Sequence, residues 1–433
     1  MFFVAIIAFI CGLISIAFFE NKWYNPVAIF SFFWGVIFFL YSIRLVPYYD
    51  VSDTAIAIFF LQTIAFAIGG ILSRAFSIVL RKSSESSLSA SPGEQIKYKL
   101  NYGVLYVFCA ISIFLLLQGT VDVIKNLLNG MTFLEMVKSD LITENNATGI
   151  VVFLKIFVLF PTAYAISAIT AIELMFKQGK KPWGLFTINI IIVVLYSLQH
   201  GARIMLVVFS VSYVFAYVLS RKIKSDNDFA QSKKMKRLVA VMCFISVVFS
   251  VFLSVSRGLH LDALGLSLYH YLAACVPNLD YWVDNLSQNT SFTFGFSSLY
   301  GFLSPLVILL NGLGLINGSP SLYRLAGKYV FLPEEVSFVG KDIKFNAFIS
   351  HSYVFYVDFG LVGVIIGNLV YGYIISNIFN ILHRKNDQRL ASVCVLLFST
   401  LCLSFIRFAF CQYHYAMALI LCFLVYRRER NSL

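Results

Sequence analysis

Apolar residues run for about 18 positions or more again and again along this chain, and the polar residues gather in the gaps between runs. A run of that length makes a helix able to cross the roughly 30 Å of a bilayer's hydrocarbon. The pattern places spans near residues 2–19, 26–43, 54–72, 102–118, 150–173, 183–199, 204–220, 238–255, 349–378, 390–406 and 410–426. These eleven spans, within a range of ten to twelve, predict an all-α polytopic transmembrane protein, a single integral membrane domain over 1–433. The first run, FFVAIIAFICGLISIAFF, has neither a basic start nor a small-residue cleavage site before Glu20, so it is expected to stay as a span. No period of 20–50 residues is visible, and no pair of broken helices recurs in two halves as in inverted-repeat transporters.

The pattern lapses over residues 256–347, which contain no obvious span. Within them LDALGLSLYHYLAACV and FGFSSLYGFLSPLVILLNGLG are apolar enough to dip into the membrane. Both ends of the loop lie on one face, so the two segments cross together or not at all. Crossing would strand NLDYWVDNLSQNTS, without a Lys or Arg, on the basic side, so interfacial or re-entrant helices roofing a cavity are expected. The loop's aromatic residues, among them Tyr269, Tyr281, Phe292 and Phe294, suit an interfacial belt or platforms for sugar rings. A second polar gap holds VDVIKNLL and TFLEMVKSDL, with a capping box Thr132…Glu135, and predicts two short helices on the same outer surface.

Composition sharpens this. The chain is 59% hydrophobic and 12% charged, with mean hydropathy +0.83. Its net charge of +12 divides unevenly, because alternate connections carry two-thirds of the 33 Lys and Arg residues. By the positive-inside rule those connections are cytoplasmic, with the C-terminus inside and the 256–347 loop outside. Basicity therefore reports topology and excludes nucleic acid as a partner. The eight cysteines lie almost entirely within apolar runs without a CxxC pair and read as packing residues, not as a disulfide framework or a metal site.

Candidate chemistry collects on the outer side. Arg44, Arg203, Arg257 and Arg407 stand one by one at outer span ends, where they either snorkel to headgroups or coordinate an anion. His200 and Arg203, three apart, share a helix face. His351 and Asp358, seven apart, also share a face, two turns or about 10 Å apart. Each is a candidate proton acceptor; the plainer readings are a helix-start histidine exposed to water and a paired structural acid. The only D-x-D, at Asp226–Asp228, lies in a short basic connection and reads as a solvated charge cluster.

The run FNAFISHSYVFYVDFGLVG, with Asn346, Tyr353, Tyr356, Asp358, Phe359, Gly360 and Gly363, resembles the C-terminal region of the O-antigen and oligosaccharide repeat-unit polymerases of the Wzy type. Gly201-Ala202-Arg203 opening a span and Ser256-Arg257-Gly258 closing one add to it, so the resemblance covers roughly residues 195–430. It implies a GT-C-like, metal-independent glycosyltransferase without cofactor, multi-pass in the bacterial inner membrane and active on its periplasmic side. Such an enzyme moves a growing glycan from one undecaprenyl diphosphate onto a repeat unit carried by another, making O-antigen or capsule beside a flippase and a chain-length regulator. Arg203, Arg257, Arg407 and His200 would hold the lipid diphosphate, and His351 or Asp358 would take the acceptor's proton. An O-antigen ligase and a lipid-linked oligosaccharide flippase or transporter are the alternatives. Ligases share the spans, the loop and the arginines; a flippase needs no large outer loop.

Overall fold

A computed structural model describes residues 1–86, 98–129, 149–177, 181–200, 203–223, 229–255, 264–287, 291–385 and 387–429. Arg257, the 132–141 segment and Asp226–Asp228 lie outside the described residues. In chain order the helices are α1 (Phe2–Phe18), α2 (Pro26–Ile43), α3 (Asp53–Ser86), α4 (Tyr102–Leu128), α5 (Ile150–Phe176), α6 (Trp183–His200), α7 (Ile204–Ile223) and α8 (Phe229–Val255). They continue with α9 (Leu264–Ala273), α10 (Cys275–Ser287), α11 (Tyr300–Gly312), α12 (Ser321–Phe331), α13 (Ser352–Lys385), α14 (Gln388–Cys402) and α15 (Tyr413–Leu424). Four short strands complete the chain: β1 (Tyr98–Leu100), β2 (Ser337–Gly340), β3 (Ile343–Phe345) and β4 (Tyr426–Arg428).

Among the described residues, eight helices are long and apolar enough to cross a membrane: α2 to α8 and α13. The protein is therefore a membrane-embedded helical protein. The remaining three expected spans fall on shorter apolar helices, α1, α14 and α15. At 1.5 Å per residue α14 rises about 22 Å and α15 about 18 Å, short of the hydrocarbon thickness. Between them residues 403–412 are irregular except for one 3-10 turn at Ala409–Cys411. The stretch VDVIKNLL continues α4 in one helix instead of forming a separate surface helix.

The chain gathers into two compact units. The second comprises Ile96–Leu264, Asn386–Ser399 and His414–Leu433. In it α5 and α6 are linked where Ser167 Oγ donates to Asn189 Oδ1, and the Asn189 amide passes the chain on to the Tyr213 hydroxyl of α7. One end is closed by β1 pairing antiparallel with β4, with Arg389 stacked 3.6 Å over the Tyr98 ring.

The first unit comprises Met1–Gln95, Gly265–Lys385 and Thr400–Tyr413. Asn25 caps α2 by accepting from the Ala28 amide, ahead of Pro26 at the first turn. Helix α13 lies along α3 at backbone contact, because Gly69 faces the Leu369 carbonyl and Gly372 the Phe66 carbonyl. One end of the unit is basic, carrying Lys22, Arg74, Arg384 and Lys385, with Arg74 and Lys22 both bound to Glu20 and Tyr24 bonded to His383. The opposite end, where α2 stops and α3 starts, is covered by residues 265–347. There the Tyr269 hydroxyl donates to Leu40 O, Asn278 to Phe348 O, and the β2–β3 hairpin extends by a bridge to Tyr48. Tyr48 also pairs with His270 at 2.7 Å, and burial holds that imidazole below its usual range.

Candidate functional site

Helix α13 is two helices. Phe359 and Gly360 break it, with Gly360 at φ 62° and ψ −145°, a conformation open only to glycine. The chain reverses there, so the short helix 352–358 packs back against the start of the long one. Gly363 makes this possible, since a Cβ would meet the Phe355 carbonyl oxygen, and Gly367 receives the Phe355 ring. The short arm is thus re-entrant, fed by backbone that pairs with the irregular link of α14 and α15: Ile349 N donates to Ile406 O and His351 N to Ser404 O, both at 2.8 Å. Irregular backbone at this depth is tolerated because it is buried in protein and its polar groups are paired.

Two candidate residues lie at the ends of that arm. His351 is 1% exposed, ringed by Phe30, Trp34, Phe355 and Tyr371. Its Nε2 lies 2.7 Å from Asn368 Oδ1. Asn368 donates through Nδ2 to Val364 O and to Ser352 Oγ, so its oxygen must face the ring and His351 Nε2 is the donor. Ser352 passes its own proton to Gln62 Oε1, which also accepts from Ser350. Gln62 is nine residues into α3, about 14 Å from its start, so this polar chain crosses the unit well inside the helices. His351 Nδ1 and Gln62 Nε2, both buried, have no partner among the described residues. The histidine read as a proton acceptor, or as exposed at a helix start, is instead sealed inside the core.

Asp358, 2% exposed, caps the loop that leads into α11. Its Oδ1 accepts from Thr293 Oγ1 at 2.5 Å and from Ser297 N at 3.0 Å, and its Oδ2 from Ser298 N at 3.0 Å. Backbone bonds from Thr293 N to Val357 O and from Phe294 N to Asp358 O seal the junction. Both oxygens are occupied, an arrangement that fits a structural acid. Around it Phe292, Phe294 and Phe359 present exposed rings.

The arginines have separate settings. Arg44, in left-handed conformation at the end of α2, pairs with Asp50 in the open. Arg407, in the irregular link, donates to Glu334 at 2.8 Å. Cys411 feels the charges of Arg407, Glu334 and Asp358, so those three groups share one neighbourhood. In the second unit Arg203 donates to Ser254 Oγ at 2.8 Å, and His200 lies against Tyr196 and Phe160. His414, which sequence reasoning passed over, packs on the other side of this aromatic cluster, 4.4 Å from Phe160 and stacked on Tyr164. Glu334 is likewise only one of six carboxylates in the 256–347 loop; no local pattern marks the turn that delivers it to Arg407.

Among the described residues no group of three His, Cys, Asp or Glu side chains is placed to hold a metal ion. All eight cysteines are free. No protein-family model, curated protein or solved structure matches the chain.

Proposed function

We infer that the protein is a glycosyltransferase that polymerises lipid-diphosphate-linked oligosaccharide repeat units into surface polysaccharide, at the periplasmic face of a bacterial inner membrane. The observation that carries this reading is the setting of Arg407. Its link pairs with the backbone that leads into the hairpin, and its guanidinium meets the cap at Glu334, where among the described residues only that exposed carboxylate engages it. A guanidinium so placed suits a diphosphate through charge-assisted, bidentate bonds. The resemblance around Asn346–Gly363 names the substrate class, undecaprenyl-diphosphate-linked glycan. Such a donor is already activated, so transfer asks for neutralisation of the leaving diphosphate and a proton acceptor for the incoming hydroxyl, without a nucleotide-sugar domain or a divalent ion. A chain-length regulator and a flippase are the partners this reading implies.

The test is the purified protein in lipid with lipid-linked repeat units, with and without chelator, resolved on a gel. A ladder is expected in both lanes. Arg203→Ala and Arg257→Ala are expected to abolish it with membrane protein level unchanged, and Arg→Lys at either site to restore little. Product joined to lipid A core instead of to repeat units points to a ligase, and passage of substrate across vesicles without a new linkage to a flippase.

A further inference from the structure

The ion pair between Arg407 and Glu334 is uneven. Arg407 belongs to the irregular link whose neighbours Ser404 and Ile406 are bonded to the re-entrant arm, and its side chain is 14% exposed. Glu334 sits on the 3-10 turn Leu332–Glu334 that follows α12, and its side chain is 49% exposed. Only Oε1 meets the guanidinium; Oε2 has no partner among the described residues. The backbone of the turn is held without it, by Ala347 N donating to Pro333 O and Asn346 Nδ2 to Glu334 O. A cation fixed in the body and an anion on the cap, joined at a single oxygen, can part without unfolding either side.

We propose that Glu334 is the proton acceptor of the glycosyl transfer, restrained by Arg407 until the donor's diphosphate takes over the guanidinium. This rests on the reading above and gives it a base that neither His351 nor Asp358 supplies, one being sealed in the core and the other fully bonded. While it is paired, Glu334 is held against the Arg407 guanidinium through Oε1 and is not free to turn toward an incoming hydroxyl. A diphosphate brings more negative charge and a better bidentate fit, so it displaces the carboxylate and frees it to meet the acceptor hydroxyl. The acceptor hydroxyl oxygen then bonds to the donor's anomeric carbon as the bond from that carbon to the diphosphate oxygen breaks. The hydroxyl proton passes to Glu334, and the electron pair of the broken bond stays on the diphosphate, held by Arg407. Glu334, open to solvent, returns the proton to water. Donor binding thus releases the base from its ion pair, and an acceptor arriving alone meets a carboxylate still tied to Arg407.

Full-length wild type, Glu334→Gln and Glu334→Asp in lipid nanodiscs test this with two readouts: affinity for inorganic pyrophosphate and ladder formation. Glu334→Gln is expected to bind pyrophosphate about tenfold more tightly, having lost the internal competitor, while its ladder falls at least a hundredfold. Glu334→Asp is expected to keep a ladder with a displaced pH profile. A Glu334→Gln ladder equal to wild type overturns the base, and unchanged pyrophosphate affinity overturns the restraint. Failure of the glycosyl-transfer reading shows separately, as wild type that makes no ladder.

Discussion

At Asp358 one carboxylate accepts three hydrogen bonds, two of them from the successive amides of Ser297 and Ser298. An Asp-Phe-Gly beside a span invites a catalytic reading, and the same three letters serve a structural one: the acid ties down the loop, the next residue turns, and glycine takes the conformation no side chain tolerates. Asp358→Asn separates these roles. The amide keeps one acceptor oxygen and turns its nitrogen toward a backbone N–H, leaving a buried donor unsatisfied at a cost of about 1–3 kcal/mol. Thermal unfolding in detergent is expected to show that loss, with residual polymer per folded molecule close to wild type. A variant as stable as wild type with no ladder would return Asp358 to the chemistry.

At the scale of elements, hydrophobic patterning located every span-length helix among the described residues, because a span must hide its backbone in apolar side chains. It could not show that the run from Ile349 to Ile378 reverses after ten residues, since both arms of a hairpin packed in protein are apolar and the run is continuous. Nor could it see that the helices in 390–406 and 410–426 stop short of a full span, because the link between them, with Phe405, Ile406, Phe408 and Phe410, is as apolar as a span. Glycine is the visible trace of the hairpin in the sequence: Gly360 makes the turn, Gly363 and Gly367 meet the short arm, and Gly372 meets α3. Gly363→Ala places a methyl group against the Phe355 carbonyl, which belongs to backbone and has little room to yield. Opening of the hairpin is expected, read as loss of the folded peak on size exclusion, whereas alanine at Gly184, which faces open space, leaves the profile unchanged.

The two units were invisible in the sequence for a topological reason: each is assembled from three separated segments, so no composition shift or linker marks a boundary. Charge, by contrast, carried over to three dimensions. In the first unit Lys22, Arg74, Arg384 and Lys385 meet at one end, while Asp50, Asp53 and the 265–347 cap occupy the other, although these residues are scattered along the chain. That segregation matters for function, because a site under the cap reaches lipid-linked sugars outside the cell or nucleotide-activated sugars inside it according to which end faces the cytoplasm. The positive-inside rule orients the basic end inward. In a cysteine-free background, Lys341→Cys on the β2–β3 turn is then expected to react with a membrane-impermeant maleimide in spheroplasts, and Lys385→Cys only after permeabilisation. The reverse result would turn the Arg407–Glu334 pair toward the cytosol, and the reading of a polymerase acting on the periplasmic face would fail whatever the geometry of its hairpin.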